Sequence, residues 1–218
     1  FKTGAILDEI QRGPHLFSYL EQILDETKKK GLFILTGSNN FLLQENISQS
    51  LAGRIAYLQL LPLSLQELKE GKKIKADYSW HILHGGYPEA VTKKINAADW
   101  FSGYINTYVE RDVRQLKNIS NLSQFTKLLK LCAGRTGQIL NLTSLSNDCG
   151  IDQKTVAAWL SILQSSYIIY LLKPYHANFN KQVIKTPKLY FYDTGVACSL
   201  LGISNAKQIT MHAAKGGL

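Results

Sequence analysis

Two adjacent carboxylates, Asp8 and Glu9, directly follow the apolar residues 5–7 near the start of the chain. An apolar run of this kind predicts a β-strand, and side chains alternate along a strand, so the two acids would point in different directions. In nucleotide hydrolysis, one such acid steadies Mg²⁺ through water and the other orients or deprotonates the attacking water. Asp8 is therefore a candidate metal-side acid and Glu9 a candidate catalytic base. The alternative interpretation is a strand that merely ends in solvated acids.

A tract of small polar side chains occupies residues 36–40, immediately after the apolar residues 32–35. Open α/β sheets bind ligands at the carboxyl ends of their strands, which is where this tract would lie. Thr36, Ser38 and Asn39 are therefore candidates for sensing the γ-phosphate or holding the attacking water. An ordinary turn is the alternative, because Gly, Ser and Asn are common in turns. The acids one βα unit upstream favour the sensor interpretation.

A strand–helix–strand unit would position these side chains. Pro14 can open a helix, and the apolar spacing of residues 16–24 predicts one that ends near Gly31. The wholly apolar residues 32–35 are typical of a strand buried in a parallel sheet. The order strand, helix, strand predicts a βαβ unit, and residues 57–61, closed by Pro62, predict a further strand of the same sheet.

Arg54 ends a segment that reads Ser-Leu-Ala-Gly-Arg. An arginine in this position is a candidate to reach a phosphate in its own subunit or in a neighbouring one, as arginine fingers do. The second case requires an oligomer of identical subunits. A solvated surface arginine is the alternative.

An ordered series of segments resembles a prokaryotic AAA-type ATPase family from Ile6 to about Gly202. The series is Ala-Ile-Leu-Asp-Glu-Ile-Gln-Arg, Phe-Ile-Leu-Thr-Gly-Ser, Ser-Leu-Ala-Gly-Arg, Leu-Leu-Pro-Leu-Ser-Leu-Gln-Glu-Leu, Gly-Gly-Tyr-Pro-Glu-Ala, Tyr-Val-Glu-Arg-Asp-Val and residues 188–195. The resemblance implies an ATPase core followed by a helical and winged-helix region, and then a restriction-endonuclease-like domain of unknown function. It matches Asp8 and Glu9 to the Walker-B pair, residues 36–39 to the sensor region, and Arg54 to the arginine of that family, with ATP and Mg²⁺ as cofactors.

One departure from the family concerns the phosphate-binding loop. The pattern G-x-x-x-x-G-K-[ST] does not occur in the sequence, which begins at Phe1 and ends at Leu218. We therefore expect a fragment of a longer protein, with ATP hydrolysis in the complete protein and not in this fragment.

The last third of the sequence predicts a helix-turn-helix followed by a wing. A helix is expected over residues 123–135, a second after Thr143 as its N-cap, and a third capped by Asp152. The second helix of such a motif contacts DNA through its first residues. The candidate DNA-binding residues there are Gln153, Lys154 and Thr155.

Residues 167–172 and 189–192 would form the two strands of the wing. The lysines between or beside them suit a phosphate backbone, and these candidates are Lys173, Lys181, Lys185 and Lys188. Residues 123–218 hold ten Lys or Arg against three Asp or Glu, an excess that favours nucleic-acid contact. The alternative is a winged helix that serves as a spacer or protein contact. We interpret Trp159 and the tyrosines of the wing as core packing.

The remaining features are interpreted as structural. A long amphipathic helix is expected from Asp99, and the spacing of His81 and His84 fits a helix cap or packing role better than a metal site. The three cysteines are widely spaced without a Cys-x-x-Cys pair, so buried thiols are expected. No apolar run is long enough to cross a bilayer, and the expected location is cytoplasmic with no membrane partner.

The predicted fold class is an α/β P-loop NTPase of the AAA type, present as a partial parallel sheet, followed by an α-helical region and a winged helix. The predicted segments are the ATPase core over 1–62, a helical lid or connector over 63–122, the winged helix over 123–203 and the start of a further domain over 204–218. The first hypothesis is an ATPase that couples nucleotide state to a winged helix in contact with DNA. The second is a winged-helix DNA-binding or protein-interaction module on a non-hydrolysing remnant.

Overall fold

The computed structural model describes residues 4–37, 51–113, 119, 121–175 and 186–218, with the backbone alone at 110–112. The chain divides into two compact units, Phe1–Leu60 and Leu61–Leu218. The finer division into four segments stays a prediction. Among the described residues, no helix has both the length and the apolar character needed to cross a bilayer.

The first unit contains the predicted βαβ arrangement. Strand β1 (Ala5–Leu7) is followed by helix α1 (Leu16–Thr27) and strand β2 (Phe33–Leu35). The two strands are parallel, with Ala5 opposite Phe33 and Leu7 opposite Leu35. Because the helix returns the chain to the start of the second strand, both strands end at the same edge of the sheet.

The core of the first unit lies between this sheet and the apolar face of α1. Ile10, Phe17, Leu20 and Leu51 are buried there. Residues 57–61 do not form the predicted third strand, since the described residues from 55 to 63 have no regular secondary structure. A strand needs a neighbour for its backbone hydrogen bonds, and Leu60 instead stands fully exposed.

The second unit is mostly helical. Its helices are α2 (Leu65–Glu70), α3 (Tyr78–His84), α4 (Pro88–Thr92), α5 (Ala97–Thr107), α6 (Leu122–Gly134), α7 (Leu142–Cys149), α8 (Gln153–Ser165), α9 (Thr194–Leu200) and α10 (Ala206–Met211). Side-chain caps begin most of them, as at Asn121 for α6 and Asp152 for α8. The cap of α7 is Asn141, whose side chain accepts from the backbone N–H of Ser144 at 2.9 Å, so the prediction of Thr143 is wrong.

The helix expected from Asp99 is shorter than predicted. Helix α5 ends at Thr107, and the chain continues as a π-helical stretch over Tyr108–Val113. Phe101 and Ile105 of α5 are buried, as predicted for its apolar stripe.

A hairpin of two antiparallel strands follows the helices α6, α7 and α8. Strand β3 (Ile169–Leu172) pairs with β4 (Lys188–Phe191), and Ile139 adds one bridge to the edge of β4 at Lys188. The hairpin and the three helices share one core, in which Phe125 contacts Trp159 edge-to-face with ring centroids 5.4 Å apart. The burial of Trp159 confirms its predicted core role, and all three cysteines are buried as predicted.

A buried carboxylate ties the loop between α3 and α4 to helix α9. Asp193 caps α9 by accepting from the backbone N–H of Val196 at 3.0 Å, and its second oxygen accepts from the N–H of Gly86 at 2.7 Å. Burial raises the pKa of the Asp193 carboxyl, against the effect of these N–H donors. Gly85 has a φ of 58°, and a Cβ there would overlap the Asp193 carboxylate. Only glycine therefore fits this approach.

Candidate nucleotide site and nucleic-acid interface

The carboxyl ends of β1 and β2 bring Asp8 and Thr36 together. The Thr36 hydroxyl donates a hydrogen bond to a carboxylate oxygen of Asp8. Backbone bonds fix the relative height of the two residues, because the Thr36 N–H donates to Leu7 at 3.0 Å and the Ile10 N–H donates to Thr36 at 3.2 Å. Two candidate residues that are 28 positions apart in sequence are thus neighbours at one edge of the sheet.

The backbone of Glu9 turns sharply away from the strand. Its φ of 51° and ψ of 43° are left-handed helical values, which a residue with a Cβ adopts at a cost of about 1–2 kcal/mol. Its side chain accepts a hydrogen bond from the Gln11 amide. Strained backbone of this kind occurs often at functional sites. The two adjacent carboxylates thus accept hydrogen bonds from different residues, Asp8 from Thr36 and Glu9 from Gln11.

The oxygen atoms at this edge are suitable for Mg²⁺. Asp8 is exposed and Thr36 half-buried, so a carboxylate and a hydroxyl are available to a bound ion and its waters. Among the described residues, no group of three or more His, Cys, Asp or Glu could hold a metal ion by itself. Mg²⁺ is commonly bound through one or two carboxylates together with substrate phosphates and water. The residues present therefore fit Mg²⁺ bound with a nucleotide. Ser38 and Asn39 lie outside the described residues.

Arg54 is not brought to the Asp8–Thr36 pair. Its guanidinium donates two hydrogen bonds to the Asp25 carboxylate, from Nε at 2.7 Å and from Nη2 at 3.0 Å, and Nη1 lies 3.6 Å from Glu21. The bond from Arg54 lowers the pKa of Asp25. Asp25 lies in the last turn of α1, which leads to the start of β2. Arg54 therefore contacts α1 near the end that is remote from the carboxyl ends of the strands.

The first turn of α8 uses part of its predicted DNA-binding set for its own structure. The Thr155 hydroxyl donates to Asp152 at 2.6 Å, and this bond, with that of the Thr155 backbone N–H, lowers the pKa of Asp152. The Gln153 amide donates to the Thr143 hydroxyl at 3.1 Å. Lys154 is exposed. Lys154 is the charged residue of the three, and its side chain is open to solvent.

The predicted wing lysines are described in part. Lys188 is exposed at the start of β4, opposite Leu172, and Lys173 is exposed directly after β3. Lys181 and Lys185 lie outside the described residues.

The tyrosines of the hairpin are not in the core as predicted. The side chains of Ile169 and Phe191 point into the core, and the alternating positions place Tyr170 and Tyr190 on the opposite, outer face. Both tyrosines are half-buried, and their rings stack with centroids 5.4 Å apart. The alternation in the sequence shows that each strand has two faces, but it does not show which face is covered.

The two histidines of α3 face different partners. His81 Nε2 lies 3.1 Å from the backbone oxygen of Lys75, while the His84 ring stacks on Trp80 with centroids 4.0 Å apart. The packing role predicted for the pair agrees with these contacts.

Two family models match the chain in adjacent regions. A model described as an AAA domain matches residues 2–69. A model described as "Domain of unknown function (DUF8612)" matches residues 75–207. The first match contains Asp8, Glu9, Thr36 and Arg54, and the second contains the α8 and hairpin residues.

The curated relatives are uncharacterized proteins. One from Mycobacterium tuberculosis and one from Mycobacterium bovis are each 32% identical over 206 residues, which cover 93% of this chain and 46% of the relative. A protein of Haemophilus influenzae is 24% identical over 187 residues, which cover 79% of this chain and 46% of that protein. The chain thus spans about half the length of the curated relatives it matches. No solved structure matches it significantly.

Proposed function

We propose that this chain, which belongs through residues 75–207 to the family described as "Domain of unknown function (DUF8612)", is part of an ATPase that binds and hydrolyses ATP with Mg²⁺. The match of residues 2–69 to an AAA domain supports the proposal. The observation that carries the proposal is the contact between Asp8 and Thr36 at the carboxyl ends of two parallel strands. This edge is where open α/β sheets bind their ligands.

The proposal gives the residues at this edge separate tasks. Asp8 would bind the waters of the metal ion, and its hydrogen bond from Thr36 would keep the carboxylate in one orientation. Glu9, which directly follows Asp8, would accept a proton from the attacking water. Mg²⁺ supplies neutralisation of phosphate charge when it is bound with the nucleotide. Ser38 and Asn39 remain proposed sensors on the strength of their positions in the sequence.

Arg54 is proposed to act in a neighbouring subunit. Within its own chain the guanidinium pairs with Asp25. An arginine that serves the site of another subunit need not lie beside its own Asp8. Assembly of identical subunits is therefore part of this proposal.

We further propose that nucleotide state is coupled to a winged helix formed by α6, α7, α8 and the hairpin. The order of three helices, two antiparallel strands and the bridge at Ile139 supports this fold. The exposed Lys154 on α8 and the exposed Lys188 on β4 support contact with DNA phosphates. Duplex DNA is the proposed partner of this surface.

The experiment uses the full-length protein with ATP and Mg²⁺. Glu9→Gln should retain binding of a fluorescent ATP analogue and lose at least about 100-fold in turnover, the usual contribution of a general base. Glu26→Gln is the matched control, because Glu26 is exposed on α1, where it accepts from Gln22 at 2.9 Å. Unchanged turnover in Glu9→Gln would remove Glu9 from this role.

The second candidate function is a DNA-binding or protein-interaction module on a remnant that does not hydrolyse ATP. The exposed Lys154 and Lys188 favour it, because they lie outside the Asp8–Thr36 edge and need no nucleotide to meet phosphate. It predicts salt-sensitive DNA binding that ATP leaves unchanged. A full-length protein that binds no nucleotide and still binds duplex DNA would support this candidate over the first.

A further inference from the structure

Residues 166–192, which contain the hairpin, are rich in tyrosine and lysine. They include five tyrosines and four lysines. They belong to a longer stretch, residues 153–192, that contains no Asp or Glu. Aromatic rings interleaved with lysines are typical of surfaces that bind nucleic acid.

The structure arranges four of these tyrosines as a continuous row. The tyrosine row is Tyr167, Tyr192, Tyr170 and Tyr190, in order of contact. Successive ring centroids along it are 5.9, 5.1 and 5.4 Å apart. All four side chains are half-buried, and the pairing of β3 with β4 places Tyr170 directly opposite Tyr190.

Positive charge and an open apolar side chain continue the same face. Leu172 is 50% exposed and lies two residues beyond Tyr170, on the same side of β3. Its partner across the hairpin is the exposed Lys188, two residues before Tyr190. Lys173 follows at the end of the strand. The row of rings therefore leads to Lys188 on the same face, with Lys173 at the same end of the hairpin.

These groups fit a partner that carries both planar rings and repeated negative charge. Aromatic side chains bind bases by stacking, and lysines bind phosphates. In a duplex the faces of the bases are covered by their neighbours, whereas an unpaired strand can present them. We propose that the outer face of the β3–β4 hairpin binds single-stranded nucleic acid, with unpaired bases on the tyrosine row and phosphates at Lys173 and Lys188.

This inference deepens the proposed DNA contact and shares the wing lysines with it. It does not depend on ATP hydrolysis or on the first turn of α8. Burial, with the neighbouring Tyr190 and Tyr192, raises the pKa of the Tyr170 hydroxyl. The ring therefore stays neutral at physiological pH and does not repel phosphate.

The test measures binding of a fluorescent oligothymidylate of about 20 nucleotides, long enough for one site of this kind. Fluorescence anisotropy of the full-length protein is compared for wild type, Tyr170→Leu and Tyr190→Leu. Each Leu variant loses one base–aromatic stack. The binding free energy of such a stack corresponds to about a tenfold change in affinity, so each variant should bind about tenfold more weakly. Tyr190→Phe keeps the ring and should bind as wild type. Tyr78→Leu is the matched control, because Tyr78 is 66% exposed on α3 in the same unit.

A strand of the same length with abasic sites separates stacking from charge. It keeps every phosphate and removes every base, so wild type should bind it at least as weakly as the Leu variants bind oligothymidylate, and the Leu substitutions should no longer matter. The proposal is overturned if wild type does not bind oligothymidylate at low salt, or if it binds both strands equally. It is also overturned if Tyr190→Phe loses as much as Tyr190→Leu, or if the Leu variants lose self-association instead of strand binding.

A duplex of the same length distinguishes this surface from α8. Lys154→Gln should weaken duplex binding and leave oligothymidylate binding close to wild type. Loss of both in Lys154→Gln, with no loss in the Tyr variants, would assign all binding to the winged-helix surface and refute the tyrosine row.

Discussion

Replacing Asp193 by Ala should destabilise the second unit more than the loss of an ordinary helix cap does. Asp193 is only 4% exposed, and its two oxygens accept from backbone N–H groups on two separate segments. The donors are Gly86 at 2.7 Å and Val196 at 3.0 Å. The substitution leaves these donors buried without an acceptor, and it disconnects the loop before α4 from α9.

The size of the loss follows from these two bonds. A hydrogen bond to a charged group contributes about 1.5–3 kcal/mol, so losing two, partly offset by no longer burying a charge, gives a loss of about 3–5 kcal/mol. Asp193→Asn keeps one carbonyl oxygen and should lose about half as much. Asn96→Ala is the control, because Asn96 caps α5 from an exposed position and should cost about 1 kcal/mol.

Urea unfolding followed by tryptophan fluorescence is a suitable assay. The three tryptophans, at positions 80, 100 and 159, all lie in the second unit, so the signal reports its unfolding. With a slope of about 2 kcal/mol per molar urea, the midpoint should fall by about 2 M in Asp193→Ala. A loss no larger than that of Asn96→Ala would refute the argument.

The same variants give a dependence on pH. Because burial raises the pKa of Asp193 above its ordinary value of 3.8, the folded protein holds this proton more tightly than the unfolded chain. Its contribution to stability is therefore fully present below about pH 3.8 and is lost as pH rises through the folded pKa. The stability of wild type relative to Asp193→Asn should fall as the pH rises from acid to neutral. A rise would mean that the N–H donors outweigh burial.

Two further predictions concern the second unit. Gly103 lies inside α5, where a Cβ would meet no atom within 4 Å. Gly103→Ala should therefore raise the unfolding free energy by about 0.5–1 kcal/mol in the same urea assay. A decrease would contradict the open space around this position. Burial raises the pKa of Cys132 and of Cys198 to about 12, so neither thiol should react with a disulfide reagent at pH 8 until the protein unfolds; rapid reaction of the native protein would contradict this burial.

The features that the sequence predicted correctly depend on short-range rules. Asp8 lies beside Thr36 because of three local features. These are the turn at Pro14, the apolar face of α1 and the parallel pairing of two short strands. The cap at Asp152 also follows from a local preference. Such features can be predicted because each segment contains its own signal.

The features that the sequence did not predict depend on distant partners. Asp193 binds Gly86 across 107 positions, and neither residue belongs to a periodic pattern that indicates the other. The tyrosines were assigned to the core because alternation shows that a strand has two faces and does not show which face is covered. Residues 57–61 have the composition of a strand, but a strand also needs a hydrogen-bonded neighbour, and the described strands of the first unit pair with each other.

The distribution of charge separates the two proposed activities. Residues 1–60 hold six Lys or Arg and six Asp or Glu, whereas residues 61–218 hold nineteen and ten. The whole excess of +9 therefore belongs to the unit that contains α8 and the tyrosine row. Binding of a long polyanion there releases counterions and should weaken steeply with salt, whereas a single nucleotide at Asp8 carries few charges and should be affected much less. Two salt titrations on one protein, with an oligonucleotide and with an ATP analogue, should consequently differ in slope, and equal slopes would indicate that both ligands occupy the same basic surface.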